Sequence, residues 1–363
     1  MIRIPVPLGE RSYDVRIGTF DPEAVAADLA AAIGNASGLA VLVDANVGHL
    51  SPRVAPLVAA LGARFSNVKL RRRDLPAGEA CKNLGEIQNT TEWLAAEGFD
   101  RGTVVVAIGG GAASDHAGFA AAIYLRGVRF VICPTTLLAM VDASVGGKTG
   151  VDLQAGKNLV GAFHQPRAVI ADLGFLDTLP ARERVAGLAE VVKAGLIADA
   201  ALFERLETDG AAIAASTTAP ALAEIIAAAV KVKVDVVTED EHESGRRAIL
   251  NFGHTVGHAV ESASGYDLLH GEAVSLGMIA ALALGVSLGI TPPALSDRAG
   301  ALLTRLGLPV DVQRRLTTDV IARVDVDKKR RGQSVRFVLL RALGTSELHD
   351  IPLSDLRQRL VTA

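Results

Sequence analysis

The chain has 363 residues, half of them apolar and 4% aromatic, with a formal net charge of -3. Such a length exceeds one ordinary core and implies two domains, while the charge excludes the broad basic field of a nucleic-acid binder. Only two cysteines, Cys81 and Cys133, are present, which excludes a disulfide framework.

Residues 2–6 and 13–17 alternate in the manner of strands. Residues 22–33 read as a helix, and 39–43 as an apolar strand ending at Asp44. A helix is expected over 52–61, a strand over 65–70 and a helix over 84–96. The buried strand 104–108 runs straight into Gly109, Gly110 and Gly111. A helix through 119–124 and a strand over 130–133 follow, with Cys133 as a small buried hydrophobe. Helices alternating with apolar strands imply a parallel sheet covered on both faces, with ligands beyond the carboxyl ends of its strands.

The character changes after about Leu176. Helical patterns occupy 183–196, 201–206, 221–238, 254–263 and 272–288, punctuated by Pro180, Pro220, Pro292 and Pro293. One late strand is expected over 335–340. The reading is an α/β domain over residues 1–176 and a mostly α-helical domain over 177–363. Candidate catalytic residues come from both, so a cleft between them is the natural site. The amino terminus lacks a signal-peptide pattern, and no apolar stretch reads as long enough to span a bilayer. A cytoplasmic protein with no membrane partner is expected.

Three groups of residues carry chemistry. A strand ending in Gly109-Gly110-Gly111 lets backbone approach a phosphate, and equally suits a tight turn. Asp44 at a strand end suits a ribose hydroxyl or a helix cap. Further on, Asp142 and Lys148 flank Gly146 and Gly147, with Lys157 and Asn158 close behind. Gly-Gly-Lys-Thr looks like the end of a P-loop, but Asp142 stands where that motif needs its first glycine. Most telling is the set Glu190, His254, His258 and His270, a carboxylate with three imidazoles that suits a divalent ion such as zinc. His254 and His258 share a helix face at i and i+4, though spacing alone does not select which residues bind. The cations Lys193, Lys233 and Arg247 lie among them and suit an anionic substrate.

The ordered motifs resemble the 3-dehydroquinate synthase family. They comprise Gly109-Gly-Gly with Asp115 and Gly118; Arg126-Gly; Pro134-Thr-Thr-Leu-Leu-Ala-Met-Val-Asp142-Ala-Ser-Val-Gly-Gly-Lys148; and Gly156-Lys157-Asn158. They continue with Gly187-Leu-Ala-Glu190-Val-Val-Lys193, Arg247-Ala-Ile-Leu-Asn251-Phe-Gly-His254-Thr-Val-Gly-His258, His270-Gly-Glu272 and Asp327-Lys328-Lys329. The likeness runs from Glu10 to about Arg341.

This resemblance implies a Rossmann-like NAD-binding domain with a parallel-type sheet, joined to a mostly α-helical metal-binding domain, as a homodimer. It implies Zn2+, with Co2+ as an alternative ion, on Glu190, His254 and His270. NAD would be held by Asp44, Asn46, Glu79, Lys82, Gly110, Gly111, Asp115, Thr135, Thr136, Asp142, Lys157, Phe175, Thr178 and Leu179. Substrate would meet Lys148, Asn158, Lys193, Lys233, Arg247, Asn251, His258 and one of Lys328 and Lys329. Arg126 would reach the phosphate of the neighbouring subunit's substrate. The implied reaction converts 3-deoxy-D-arabino-heptulosonate 7-phosphate to 3-dehydroquinate and phosphate. It runs by NAD-mediated transient oxidation, phosphate elimination, reduction and intramolecular aldol closure. Two departures from the family pattern are Ser114, where glycine is usual, and Ala194, where an aromatic is common. The alternatives are a sibling sugar-phosphate cyclase (2-epi-5-epi-valiolone synthase or aminodehydroquinate synthase), a metal-dependent polyol dehydrogenase, and a non-catalytic regulatory protein.

Overall fold

A computed structural model describes residues 1–265, 267–325, 330–331 and 334–362. They fall into two compact units, Met1–Pro180 and Ala181–Ala363.

The first unit follows the expected alternation. Its elements are β1 (Ile2–Val6), β2 (Tyr13–Gly18), α1 (Pro22–Ile33), β3 (Gly38–Asp44), α2 (Ala45–Leu50), α3 (Val54–Arg64), β4 (Lys69–Leu75), α4 (Leu84–Ala96) and β5 (Val104–Gly109). There follow α5 (Gly111–Ile123), β6 (Arg129–Pro134), β7 (Lys148–Leu153), β8 (Gly156–Phe163) and β9 (Ala168–Asp172). Seven strands form one sheet in the order β1-β2-β9-β6-β5-β3-β4. Only the β1–β2 pair is antiparallel; the other neighbours run parallel. Every residue of β3, β5 and β9 is buried. Each fully buried Val, Leu or Ile there contributes about 1.5–3 kcal/mol, which is why these strands read as unbroken apolar runs.

Two expectations for this unit need correction. The strand predicted over 65–70 lies at Lys69–Leu75. Phe65 and Val68 are spent in the turn that ends α3, where their amides bond back to Leu61 and Phe65 carbonyls. β4 is the edge strand of the sheet and carries Arg71, Arg72 and Arg73, so it lacks the apolar signature of a central strand. The second correction concerns residues 148–163, where no strand was expected around Lys148 and Asn158. They form an antiparallel hairpin, β7–β8. Gly150 pairs with Gly161 there, and a Cβ on Gly161 would lie 2.0 Å from the Thr149 carbonyl oxygen. The glycines that permit this approach also hide the strands from a propensity reading.

The second unit contains α6 (Ala181–Ala198), α7 (Ala200–Ala215), α8 (Leu222–Glu239), α9 (His254–Ala263), α10 (His270–Ser287), α11 (Pro293–Arg305), α12 (Thr318–Asp325) and α13 (Leu353–Thr362). It also carries a small sheet in the order β10 (Arg330–Arg331), β11 (Ser334–Ala342), β12 (Thr345–Pro352). β11 matches the predicted late strand, whereas β10, β12, α11, α12 and α13 are additions. Pro293, taken as punctuation, occupies the first turn of α11, where its missing N–H costs nothing.

The expectation about membrane-spanning length also needs correction. Helix α10 has the length and composition of a span, with a mean hydropathy of 1.3, but 67% of it is buried within the protein. It is a core helix. Leu276, Ala280 and Leu284 of α10 pack with Val256 and Val260 of α9, Phe337 and Leu339 of β11, and Leu356 and Leu360 of α13.

Candidate active site

The metal-binding candidates meet on three helices of the second unit. Helix α9 is two-sided. Val256 and Val260 face the core, while His254, His258 and Glu261 follow each other at i, i+4 and i+7 on another face. On α6, Ala186, Glu190 and Lys193 make a similar stripe. His270 is the first residue of α10.

Bare backbone lets these helices come together. A Cβ on Gly271 would lie 1.8 Å from the Ala186 carbonyl oxygen, and one on Gly277 would lie 1.9 Å from that of Gly253. The first contact sets the start of α10 against α6, one turn before Glu190. The second sets α10 against the start of α9. Arg182 of α6 also grips the Glu272 carboxylate with two bonds of 2.7 Å. Glu272 in turn accepts the Leu269 N–H at the head of α10, where a negative charge is favoured.

The resulting geometry is convergent. Glu190 Oε1 lies 3.5 Å from His254 Nε2 and 3.6 Å from His270 Nε2. Ligand atoms of His254, His258 and His270 all lie within 4.8 Å of one another. His254 turns its Nδ1 to the Phe252 carbonyl at 3.1 Å, and His270 turns its Nδ1 to Glu261 Oε2 at 3.2 Å. Both therefore present Nε2 toward Glu190. A carboxylate oxygen and two imidazole nitrogens facing one point fit a divalent ion that keeps an open position. Burial alone would lower the His270 pKa, but Glu190 and Glu261 outweigh it and raise it to about 9. Binding of an ion must displace that proton. Lys193 pairs with Glu190 within the same stripe.

Cations surround this cluster in sequence and are buried in the structure: Lys193, Lys233 and Arg247. Arg247 sits in the turn after α8, and the turn is organised by Asp240. The Asp240 carboxylate accepts the N–H groups of Ser244, Gly245 and Arg247 at 2.8, 2.8 and 2.9 Å, and the Ser244 hydroxyl at 3.0 Å. Burial pushes its pKa up, but these bonds outweigh it and hold the carboxyl at about 2. The Arg247 guanidinium bonds to the Glu241 carbonyl. Asn251 donates to Glu243 Oε1 at 2.7 Å.

Sequence reasoning missed Asp240, Glu243 and Glu261. The spacing 254, 258, 261 was visible and could have nominated Glu261. An acidic residue ending a helix just before Ser244-Gly245 could have nominated Asp240 as a turn organiser. Lys328 and Lys329 lie outside the described residues.

In the first unit, Gly110 caps α5 and Gly111 opens it, directly after β5. A Cβ on Gly109 would lie 2.6 Å from the Ala113 Cβ, and one on Gly110 would lie 3.0 Å from Thr136. The helix start is thus bare and packed close, the arrangement that admits a phosphate to amide groups. The Thr135 hydroxyl beside it is buried without a hydrogen-bond partner among the described residues, a group that a bound dinucleotide could satisfy. Ser114 donates to the Gly110 carbonyl at 3.0 Å, so its hydroxyl tightens the first turn of α5. Asp142 lies in a π-helical turn, Ala139–Ala143, a distortion frequent at functional sites. Lys148 opens strand β7 and not a helix, which agrees with discarding the P-loop.

Other candidates are engaged with the protein. Asp44 acts as a helix cap, accepting the Asn46 and Val47 N–H groups at 2.9 and 3.2 Å, and it also accepts the Gly78 N–H at 2.9 Å. Lys82 is buried and bonds Asp115 at 2.8 Å and Asn158 at 2.6 Å. Burial would lower its pKa, but Asp115 and Glu79 outweigh it and raise it. Lys157 lies 3.5 Å from Glu79. Phe175 and Thr178 belong to one 3-10 turn after β9. Thr178 lines a cavity of about 620 Å³ with Phe20, Arg53 and Asp177. Arg126 is exposed with a left-handed φ of 66°.

Comparison with known proteins agrees with these observations. Residues 73–186 match the family model of the 3-dehydroquinate synthase N-terminal region, and residues 187–330 match the C-terminal one. The 3-dehydroquinate synthase of Rhodospirillum rubrum is 48% identical over 95% of this chain and 90% of its own length. Among solved structures, 2-epi-5-epi-valiolone synthase from Streptomyces hygroscopicus, with NAD+ and Zn2+ bound, superposes with a TM-score of 0.85. It is 31% identical over 98% of both chains. A 2-deoxy-scyllo-inosose synthase, solved with carbaglucose-6-phosphate, NAD+ and Co2+, superposes at 0.84 with 25% identity over the full length of both. A strand-to-glycine-to-helix turn in one unit, an acid–imidazole cluster in the other and near-half identity along the whole chain lead to one assignment: the chain belongs to the 3-dehydroquinate synthase family.

Proposed function

We propose that this enzyme is a 3-dehydroquinate synthase. It takes 3-deoxy-D-arabino-heptulosonate 7-phosphate to 3-dehydroquinate with release of phosphate. The carrying observation is the convergence of Glu190, His254 and His270, in a chain with 48% identity to a 3-dehydroquinate synthase. The nucleotide-binding role falls to residues 1–176 and the metal-binding role to residues 177–363. In this reading Glu190, His254 and His270 hold Zn2+ or Co2+. NAD lies on Gly110, Gly111, Thr135, Thr136 and Asp142, and on Asp44, Asn46, Glu79, Lys82, Asp115, Lys157, Phe175, Thr178 and Leu179. When bound, the nicotinamide takes up and returns a hydride while the ion polarises the hydroxyls it coordinates.

The chain's own residues position and neutralise. Lys193, Lys233 and Arg247 are buried cations, suited to a substrate with both a carboxylate and a phosphate. The Asp240 turn presents Arg247 on a fixed backbone, and we assign its guanidinium to the phosphate. Asn251 and one of Lys328 and Lys329 bind the substrate's polar groups, as do Lys148 and Asn158 from the first unit. His258 stacks edge-on to His254 with ring centres 5.1 Å apart, close enough to hold or pass a proton beside the ion. We read the enzyme as a cytoplasmic homodimer in which Arg126 serves the neighbouring subunit. Sedimentation giving a monomer mass would remove that role.

The test is to incubate the purified protein with NAD, Zn2+ and the heptulosonate phosphate, following phosphate release and identifying the carbocycle by NMR. One phosphate per 3-dehydroquinate, with no net NADH, is expected. Net NADH without phosphate would indicate a polyol dehydrogenase, and turnover of a sugar phosphate that lacks the carboxylate in its place would indicate a valiolone-type sibling cyclase.

A further inference from the structure

The two histidines proposed as ligands are oriented in different ways. His254 Nδ1 meets a backbone carbonyl, that of Phe252. His270 Nδ1 meets a side-chain carboxylate, Glu261 Oε2, at 3.2 Å. Glu261 is only 3% exposed. Burying a carboxylate is costly, and a neutral acceptor would satisfy one N–H as well. A carboxylate at that point adds something a carbonyl does not: it fixes the ring and also raises the basicity of the opposite nitrogen. The opposite nitrogen, Nε2, is the one 3.6 Å from Glu190 Oε1.

We propose that Glu261 is a positioning residue of the metal centre. Its carboxylate accepts the Nδ1–H of His270, so that loss of the second proton to an incoming ion leaves the tautomer with Nε2 free, and it turns that nitrogen to the point shared by Glu190 and His254. The inference rests on the metal reading given under the proposed function. It also gives the two-turn spacing along α9 a purpose. His254 and Glu261 lie seven residues apart, so one helix supplies a ligand directly and orients the ligand carried by α10. A shift of α9 along its axis would disturb both.

Two measurements decide it. In Glu261→Gln, competition with a chromophoric chelator should give zinc binding about 10–100-fold weaker than wild type. NAD affinity and the apo protein's near-ultraviolet circular dichroism should stay unchanged. Glu261→Asp, which keeps the carboxylate one methylene short, should fall between the two. In the zinc-loaded wild type, imidazole 15N shifts should report metal on His270 Nε2 with Nδ1 protonated, and this measurement needs no folded variant. Metal on Nδ1, or wild-type zinc affinity in Glu261→Gln, overturns the role of Glu261. If the wild type itself binds no stoichiometric zinc, the metal reading fails instead.

Discussion

At the scale of single residues, Asp240 shows how one carboxylate can fix the backbone of a proposed substrate-binding cation. Its four accepted hydrogen bonds close the turn that carries Arg247. The folded carboxyl titrates at about 2, below its ordinary 3.8. Its charged form therefore stabilises the fold above about pH 4, and that contribution is lost as the pH falls toward about 2. Urea unfolding between about pH 5 and pH 2.5 should show wild type losing more stability than Asp240→Asn. Parallel slopes would mean that the turn does not depend on the ionised group. At neutral pH the same variant should raise KM for the phosphate substrate and leave KM for NAD in place. Residue types announced Glu190, His254, His258 and His270, because few structural roles need one acid and three imidazoles among glycines. The local signals for Asp240 and Glu261, a helix-ending acid before Ser244-Gly245 and an i+7 spacing from His254, are weak by comparison. An isolated acid looks like a solvated charge until the turn or the neighbouring helix is in place.

At the scale of elements, the site is built by close approach of helices, and glycines permit it. The start of α10 lies on α6 through Gly271, where a Cβ would come within 1.8 Å of the Ala186 carbonyl oxygen. A backbone atom cannot rotate aside as a side chain can, so Gly271→Ala must push α10 away and carry His270 from Glu190. Overpacking of this kind typically costs about 1–3 kcal/mol. Urea unfolding and a zinc titration should register lower stability and weaker metal binding together. Unchanged values in both would show that the contact is dispensable. The same physics explains which elements could be read in advance. Strands β3 and β5 are apolar along nearly their whole length because both lie inside the sheet, and α4 and α9 carry a clear period with their boundaries where expected. The β7–β8 hairpin escaped notice, and the edge strand β4 was placed too early in the chain. Their pairing depends on Gly150, Gly161 and an arginine-rich edge, whose residues express a place in the sheet and not a propensity.

At the scale of the whole molecule, the second unit gathers four titratable groups at one point, and this shapes its stability. Helix α10 is long and apolar enough to resemble a membrane span, yet it carries His270 at its head and most of its length is buried. A core helix that begins in a cluster with Glu190, His254 and His258 couples packing to charge. Without an ion, the raised pKa of His270, at about 9, lets a proton neutralise part of the carboxylate charge. An ion held by Glu190, His254 and His270, as proposed, would replace that proton and tie α6, α9 and α10 together. An ion that binds the folded chain and not the unfolded one stabilises it by about 2.7 kcal/mol at a hundredfold excess over Kd. Chelation should therefore lower Tm at neutral pH, and Zn2+ or Co2+ should restore it. The increment should shrink as the pH is lowered, because protons compete for the same imidazoles. Calorimetry of the apo and zinc-loaded protein at two pH values measures this directly. A Tm indifferent to metal at both would show that the cluster does not hold an ion, and a metal increment that grows on acidification would show that ion and protons do not share these residues.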